Sequence, residues 1–167
     1  MYNAPAYNPA DQIIPGIWLG NRNAALDPNF LRVNGINAVF NCTKDIPFHE
    51  TVVRRYRVPV DDNLEDSEIR NLELWSFELV YKIALEKKRG PILIHCAAGI
   101  QRSAATVAMF LIASYKWTAE KAMTYIKGKR LIAFTPSANF ERAIRGFEQS
   151  FDKSIRPYLA EQREEAN

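Results

Sequence analysis

PILIHCAAGIQRSAATVAMFLI, residues 91–112, passes without a break from an apolar segment through a cysteine, five mostly small or polar residues and an arginine into a second apolar segment. ILIH at 92–95 is short and continuously apolar up to its histidine, as a buried strand is, and the stretch from Ser103 to about Tyr115 has the length and composition of a buried helix. A thiol between them sits on a strand-to-helix turn. In α/β sheets ligands bind there, at the carboxyl ends of strands beside helix N-termini.

The flanking sequence supports that architecture. GIWLG at 16–20 and INAVFN at 36–41 read as short strands, with Asp27, Pro28 and Gly35 in the N-cap, first-turn and C-terminal positions of a short helix between them. VVRRYRVPV alternates at Tyr56, Val58 and Val60, and Pro59 marks an edge strand or a strand end. A long helix follows with Ile69, Leu72, Ser76, Leu79 and Ile83 facing inward, closed by Gly90 and Pro91. After the quoted stretch, Thr118 caps a helix to about Lys129, and Thr135 and Pro136 are expected to open the last helix. There Phe140, Ile144, Phe147 and Phe151 form one apolar stripe for the core. The expected fold is a single α/β domain: a central twisted, mostly parallel sheet with helices on both faces. An N-terminal arm is expected over 1–12, the α/β domain over 13–151 and a charged tail over 152–167. Tyr2 and Tyr7 of the arm are candidates for packing across a homodimer.

The 167 residues, 47% of them hydrophobic, can bury one full core. No window is long and apolar enough to span a membrane, and the N-terminus lacks the regions of a secretory signal, so a cytoplasmic or nuclear protein is expected. Two cysteines make no disulfide framework. The net charge of +3 favours anionic partners weakly and gives no ground for a nucleic-acid partner. RRYR at 54–57 and KKR at 87–89 read as solvated faces, with docking of an acidic partner as the lesser reading.

The turn after ILIH carries the chemistry. Backbone N–H groups converge where the chain enters a helix, and the helix dipole adds positive potential. Ala97, Ala98 and Gly99 let the backbone curl around an oxyanion, and Arg102 supplies a planar, two-pronged donor. Those groups favour the thiolate of Cys96, which becomes a nucleophile facing a bound phosphate. Ser103 is placed to donate to the sulfur and ease its departure from a thiophosphate. A zinc site built from Cys42, His49, His95 and Cys96 lacks ligand spacing, and no Gly-x4-Gly-Lys-Ser/Thr order is present for a nucleotide P-loop. His95 reads as a support that bonds loop backbone, and Cys42 as a core residue, with a resolving thiol for Cys96 as the alternative.

HCAAGIQRS resembles the signature loop of the cysteine-dependent protein phosphatases. GIWLGNRNAA, AVFNCTKD, YRVPVDDN and TPSANFERAI resemble successive blocks of the small dual-specificity phosphatases, and the CAAG loop is similar to that of poxviral and other small members. The resemblance covers residues 13 to 148. It implies a cysteinyl-phosphate mechanism on Cys96, phosphate binding by Ala97, Ala98, Gly99, Ile100, Gln101 and Arg102, help from Ser103, and no metal or other cofactor. It also implies a general acid three residues after the strand's proline, which selects Asp62, with Asp61 the runner-up. A shallow pocket is implied, since no pTyr recognition loop is found, and so is a phosphoprotein substrate carrying pTyr or pSer/pThr. An RNA 5′-triphosphatase, a phosphoinositide phosphatase and a binding-only pseudophosphatase are the alternatives. A viral origin would extend the expected location to the virion.

Overall fold

Pro15 and Gly16 start the sheet. Gly16 takes φ +87°, as the third residue of a type II turn requires, and Ile14 pairs with Ile17 across it. The computed structural model describes residues 7–166, with side chains described as far as Ser154. Tyr2, offered as a dimer contact, lies outside the described residues, and Tyr7 is exposed.

In chain order the elements are β1 (Ala10–Ile14), β2 (Ile17–Gly20), α1 (Arg22–Ala25), α2 (Pro28–Val33), β3 (Ala38–Asn41), β4 (Arg54–Arg57), α3 (Asp66–Arg89), β5 (Ile92–His95), α4 (Arg102–Tyr115), α5 (Ala119–Lys129) and α6 (Glu141–Ala166). The strands lie in the order β1-β2-β5-β3-β4, parallel except for the β1–β2 pair. Strand alternation then sorts the core. Ala38, Phe40, Ile92 and Ile94 face the layer of α3 to α6, whereas Val39 and Leu93 face a smaller layer with Ala25 and Leu31 of α1 and α2. The expected mostly parallel sheet with helices on both faces is what is found.

α4 is buried at every position from Ser103 to Ile112, so it packs on all sides, against the sheet, α3, α5 and α6. That placement fixes its N-terminus directly behind β5. Asp27 and Thr118 cap α2 and α5 as expected, accepting from Asn29 N at 2.9 Å and Lys121 N at 3.1 Å. The stripe Phe140, Ile144, Phe147 and Phe151 is buried.

Four expectations are corrected. Residues 10–12, assigned to an arm, belong to edge strand β1. The last helix starts at Glu141, because the carbonyls of Thr135 and Ser137 accept from the Gln101 side chain and the segment makes turns, and it continues to Ala166 through the segment read as a tail. Asp66, which by its sequence reads as the N-cap of the long helix after a solvated Glu65, is instead the first helical residue of α3 and pairs with Arg142, while Glu65 holds the cap position without a side-chain bond. RRYR is no simple solvated face: Arg54 meets the buried Glu86, and Arg57 donates to Thr43 O and Ile46 O. Among the described residues no helix is long and apolar enough to cross a membrane.

Candidate active site

Cys96 follows the last residue of β5, and Arg102 is the first of α4, so the six-residue step between them is the turn read from the sequence. Gly99 makes that turn affordable to the backbone. It takes φ +69°, and a Cβ there would stand 2.5 Å from Gly20 O and 2.9 Å from the Arg130 guanidinium. Arg130 is buried behind the loop, donating from Nε to Gly99 O at 2.8 Å and from Nη2 to Ala98 O at 3.2 Å. Since N–H and C=O point opposite ways across a planar peptide, holding these carbonyls backward turns the N–H groups of Gly99 and Ile100 forward. The other side of Arg130 meets Asn8 O and Asp11 Oδ2, both at 2.8 Å, which ties β1 to the loop.

Cys96 is 2% exposed, and its sulfur lies 3.1 Å from Ser103 Oγ. Burial is the largest single influence on the thiol and opposes its ionisation. The Ser103 hydroxyl and N–H, the Arg102 charge and the Gly99 N–H together outweigh it and bring the thiol below its ordinary range. Arg102 donates from Nη1 to Val60 O at 2.9 Å, and its buried Nε has no hydrogen-bond partner among the described residues. A guanidinium anchored by one arm with another donor uncommitted suits an incoming oxyanion.

His95 is fully buried and held neutral, its pKa pushed down to about 4 first by burial and further by the charges of Arg57 and Arg102. Nδ1 lies 3.2 Å from Cys96 O; a carbonyl only accepts, so that nitrogen carries the proton. That bond ties the end of β5 to the first residue of the loop. Cys42, also fully buried, sits 3.5 Å from Thr106 Oγ1, and burial pushes its thiol up to about 12. That is the environment of a core thiol.

The two acidic candidates on the loop after β4 part company. Asp61 Oδ2 is bound by Lys44 Nζ at 3.0 Å, and its N–H donates to Glu68 at 2.8 Å. Asp62 turns the other way and accepts from Asn139 Nδ2 at 2.9 Å. Both line a cavity of about 400 Å³ with Ala97, Arg102 and, at its rim, the exposed Arg22. None of the described lining residues is aromatic. A larger groove of about 850 Å³ lies away from this chemistry, between α2 and the start of β4. Among the described residues no three His, Cys, Asp or Glu side chains come together as a metal site.

The sequence reading finds Cys96, Arg102, Ser103 and the loop. It passes over Arg130 and the bracing role of Gln101, for which sequence offers no local signal, over Asn139, which lies in the block TPSANFERAI but is given no role there, and over β1, which Pro15-Gly16 announces.

Residues 17–150 match the family profile described as dual specificity phosphatase, catalytic domain. Dual specificity protein phosphatase 4 of Homo sapiens is 31% identical over 139 residues, 82% of this chain and 34% of that protein. The chain spans less than half the length of these curated relatives, from 19% to 46%. Among solved structures, a mouse putative dual specificity phosphatase complexed with zinc tungstate superposes with TM-score 0.75 at 24% identity, covering 93% of this chain and 96% of that one. OH1 from the Orf virus, described as a tyrosine phosphatase with triple substrate specificity, gives TM-score 0.62 at 23% identity over 81% of this chain and 83% of its own. At these identities the two structures speak for the fold alone.

Proposed function

The chain belongs to the dual specificity phosphatase catalytic-domain family, and from that premise we propose that it hydrolyses phosphotyrosine and phosphoserine or phosphothreonine in proteins through a cysteinyl-phosphate on Cys96. The observation that carries this reading is a buried thiol at a strand-to-helix turn whose ionisation is favoured by the hydroxyl, N–H groups and guanidinium around it.

The Cys96 thiolate attacks phosphorus and the bond to the leaving oxygen breaks, while Asp62 gives that oxygen its proton. Water then attacks the thiophosphate and passes a proton to the Asp62 carboxylate. The sulfur–phosphorus bond breaks, and Ser103 Oγ stabilises the returning thiolate. The loop N–H groups of 97 to 102 and Arg102 hold the phosphoryl oxygens throughout, where charge develops. Lys44 engages Asp61, which favours Asp62 as the acid. With no aromatic wall, the cavity has nothing that selects a phenyl ring over a short side chain, which supports a substrate range beyond pTyr.

The test is turnover of pTyr, pSer and pThr peptides beside a 5′-triphosphate RNA and a phosphoinositide, with and without chelator. Hydrolysis of all three peptides is expected, pTyr fastest because phenolate leaves more easily than an alkoxide, at rates that chelator does not change. Turnover confined to the RNA or the lipid overturns the reading, and strict pTyr specificity overturns its dual range.

A further inference from the structure

The acid loop has no regular secondary structure between β4 and α3, and Asp62 is exposed on it. A carboxylate so placed rotates freely unless something outside the loop holds it. Asn139, 77 residues away, supplies the hold by donating from Nδ2 to Asp62 Oδ1 at 2.9 Å. Asn139 is itself placed by the phosphate loop, since its backbone N–H donates to Gln101 Oε1 at 2.9 Å. Gln101 Nε2 donates to Ser137 O at 2.8 Å and Thr135 O at 3.1 Å. These partners fix the orientation of both amides: a carboxylate and two carbonyls accept, so each faces an NH2, and the Asn139 N–H faces the Gln101 oxygen. Gln101 is 5% exposed and immediately precedes Arg102. Two links therefore run from the residue beside the phosphate-binding arginine to the carboxylate that serves the leaving oxygen.

Resting on the reading of Asp62 as the general acid, we propose that Asn139 is its positioning residue. A neutral carboxylic acid has one oxygen that accepts and one that carries the proton. By occupying Oδ1, the Asn139 amide leaves Oδ2 to hold the proton and present it to the leaving oxygen. The amide neither gains nor loses a proton in the step, and it still donates to Oδ1 once Asp62 is a carboxylate. The Gln101 clamp sets this geometry in the frame of the loop that binds the phosphate, so the acid and the nucleophile keep one registration. An acid held for in-line delivery contributes most when the leaving group is poor.

Asn139→Leu keeps the branched shape and removes the donor, and Asn139→Ala checks the result. Both are half-buried surface-loop changes that leave the Asn139 N–H bond to Gln101 in place. Measured on a pSer peptide, kcat/KM is expected to fall about tenfold, and on an activated aryl phosphate less than about twofold. In an Asp62→Asn background the same substitutions are expected to cost nothing further on either substrate. Equal losses on both substrates, or full additivity with Asp62→Asn, overturn the proposal, because a merely structural role gives those results. Asp62→Asn that slows the pSer peptide while Asn139→Leu leaves it at the wild-type rate overturns the role of Asn139 alone. If Asp62→Asn shows no leaving-group dependence, the assignment of Asp62 fails and the proposal falls with it.

Discussion

The two ends of the parallel strands hold the same kinds of charge and use them differently. Where β3 and β4 begin, Glu86 of α3 is 1% exposed and fully served: Arg54 Nε donates to it at 2.6 Å, Tyr56 Oη at 2.8 Å, Asn37 Nδ2 at 3.1 Å and Arg89 Nη1 at 3.2 Å. The hydrogen bond from Arg54 is the largest influence on this carboxyl and, against burial, brings it down to about 2. Where β5 ends, Arg102 and the loop N–H groups face a thiol that they push toward its anion, and the Arg102 Nε is uncommitted. One end closes its charges on one another, and the other keeps a guanidinium donor without a partner among the described residues beside a thiol inclined to its anion. A buried charge is tolerable when its partner comes with it. The chain supplies that partner at Glu86, and in the proposed reaction the substrate phosphate supplies it at Arg102.

Breaking each end should therefore give a different loss. Cys96→Ser is expected to lower turnover by about 10⁴-fold or more while phosphate binding and the thermal midpoint stay near wild type. Steady-state kinetics and phosphate protection against unfolding check this, and retained turnover removes the contrast from the active end. Glu86→Ala leaves Arg54 and Arg89 without their acceptor and is expected to cost about 2 to 3 kcal/mol of stability, read from denaturant midpoints, with activity per folded molecule unchanged. Lost activity without lost stability would erase the distinction between the ends.

The smallest effect separates the ends by pH. The unfolded chain protonates His95 near 6.5 and the folded chain only near 4. Between those values the unfolded state binds more protons, so stability falls as pH drops from 6.5 towards 4, by at most about 3 kcal/mol. Glu86, held at about 2 against an ordinary 4.5, adds its own loss only below 4.5. Denaturant midpoints against pH are expected to decline in two stages, with His95→Asn removing the upper stage and leaving the lower. A single stage below 4.5 in the wild type would show that His95 titrates alike in both states.

What the sequence by itself determines is contiguous. Strand, turn and helix run through 92–115, so Cys96, the loop and Arg102 are fixed within a dozen residues by local geometry. The caps of α2 and α5, at Asp27 and Thr118, are equally local, and the stripe from Phe140 to Phe151 repeats with one helical period. β1 was within reach too, through the Pro15-Gly16 turn, although ADQII has no alternation to announce a strand. What the tertiary structure alone decides are pairings between distant residues: Arg54 with Glu86, Arg130 with Asp11 and the phosphate loop, Gln101 with the 135–139 turn, Asn139 with Asp62. Each joins residues 31 to 119 positions apart. An isolated arginine or amide in a sequence carries no mark of its partner, because burial and direction, which give a polar side chain its role, exist only after the helices have packed on the sheet.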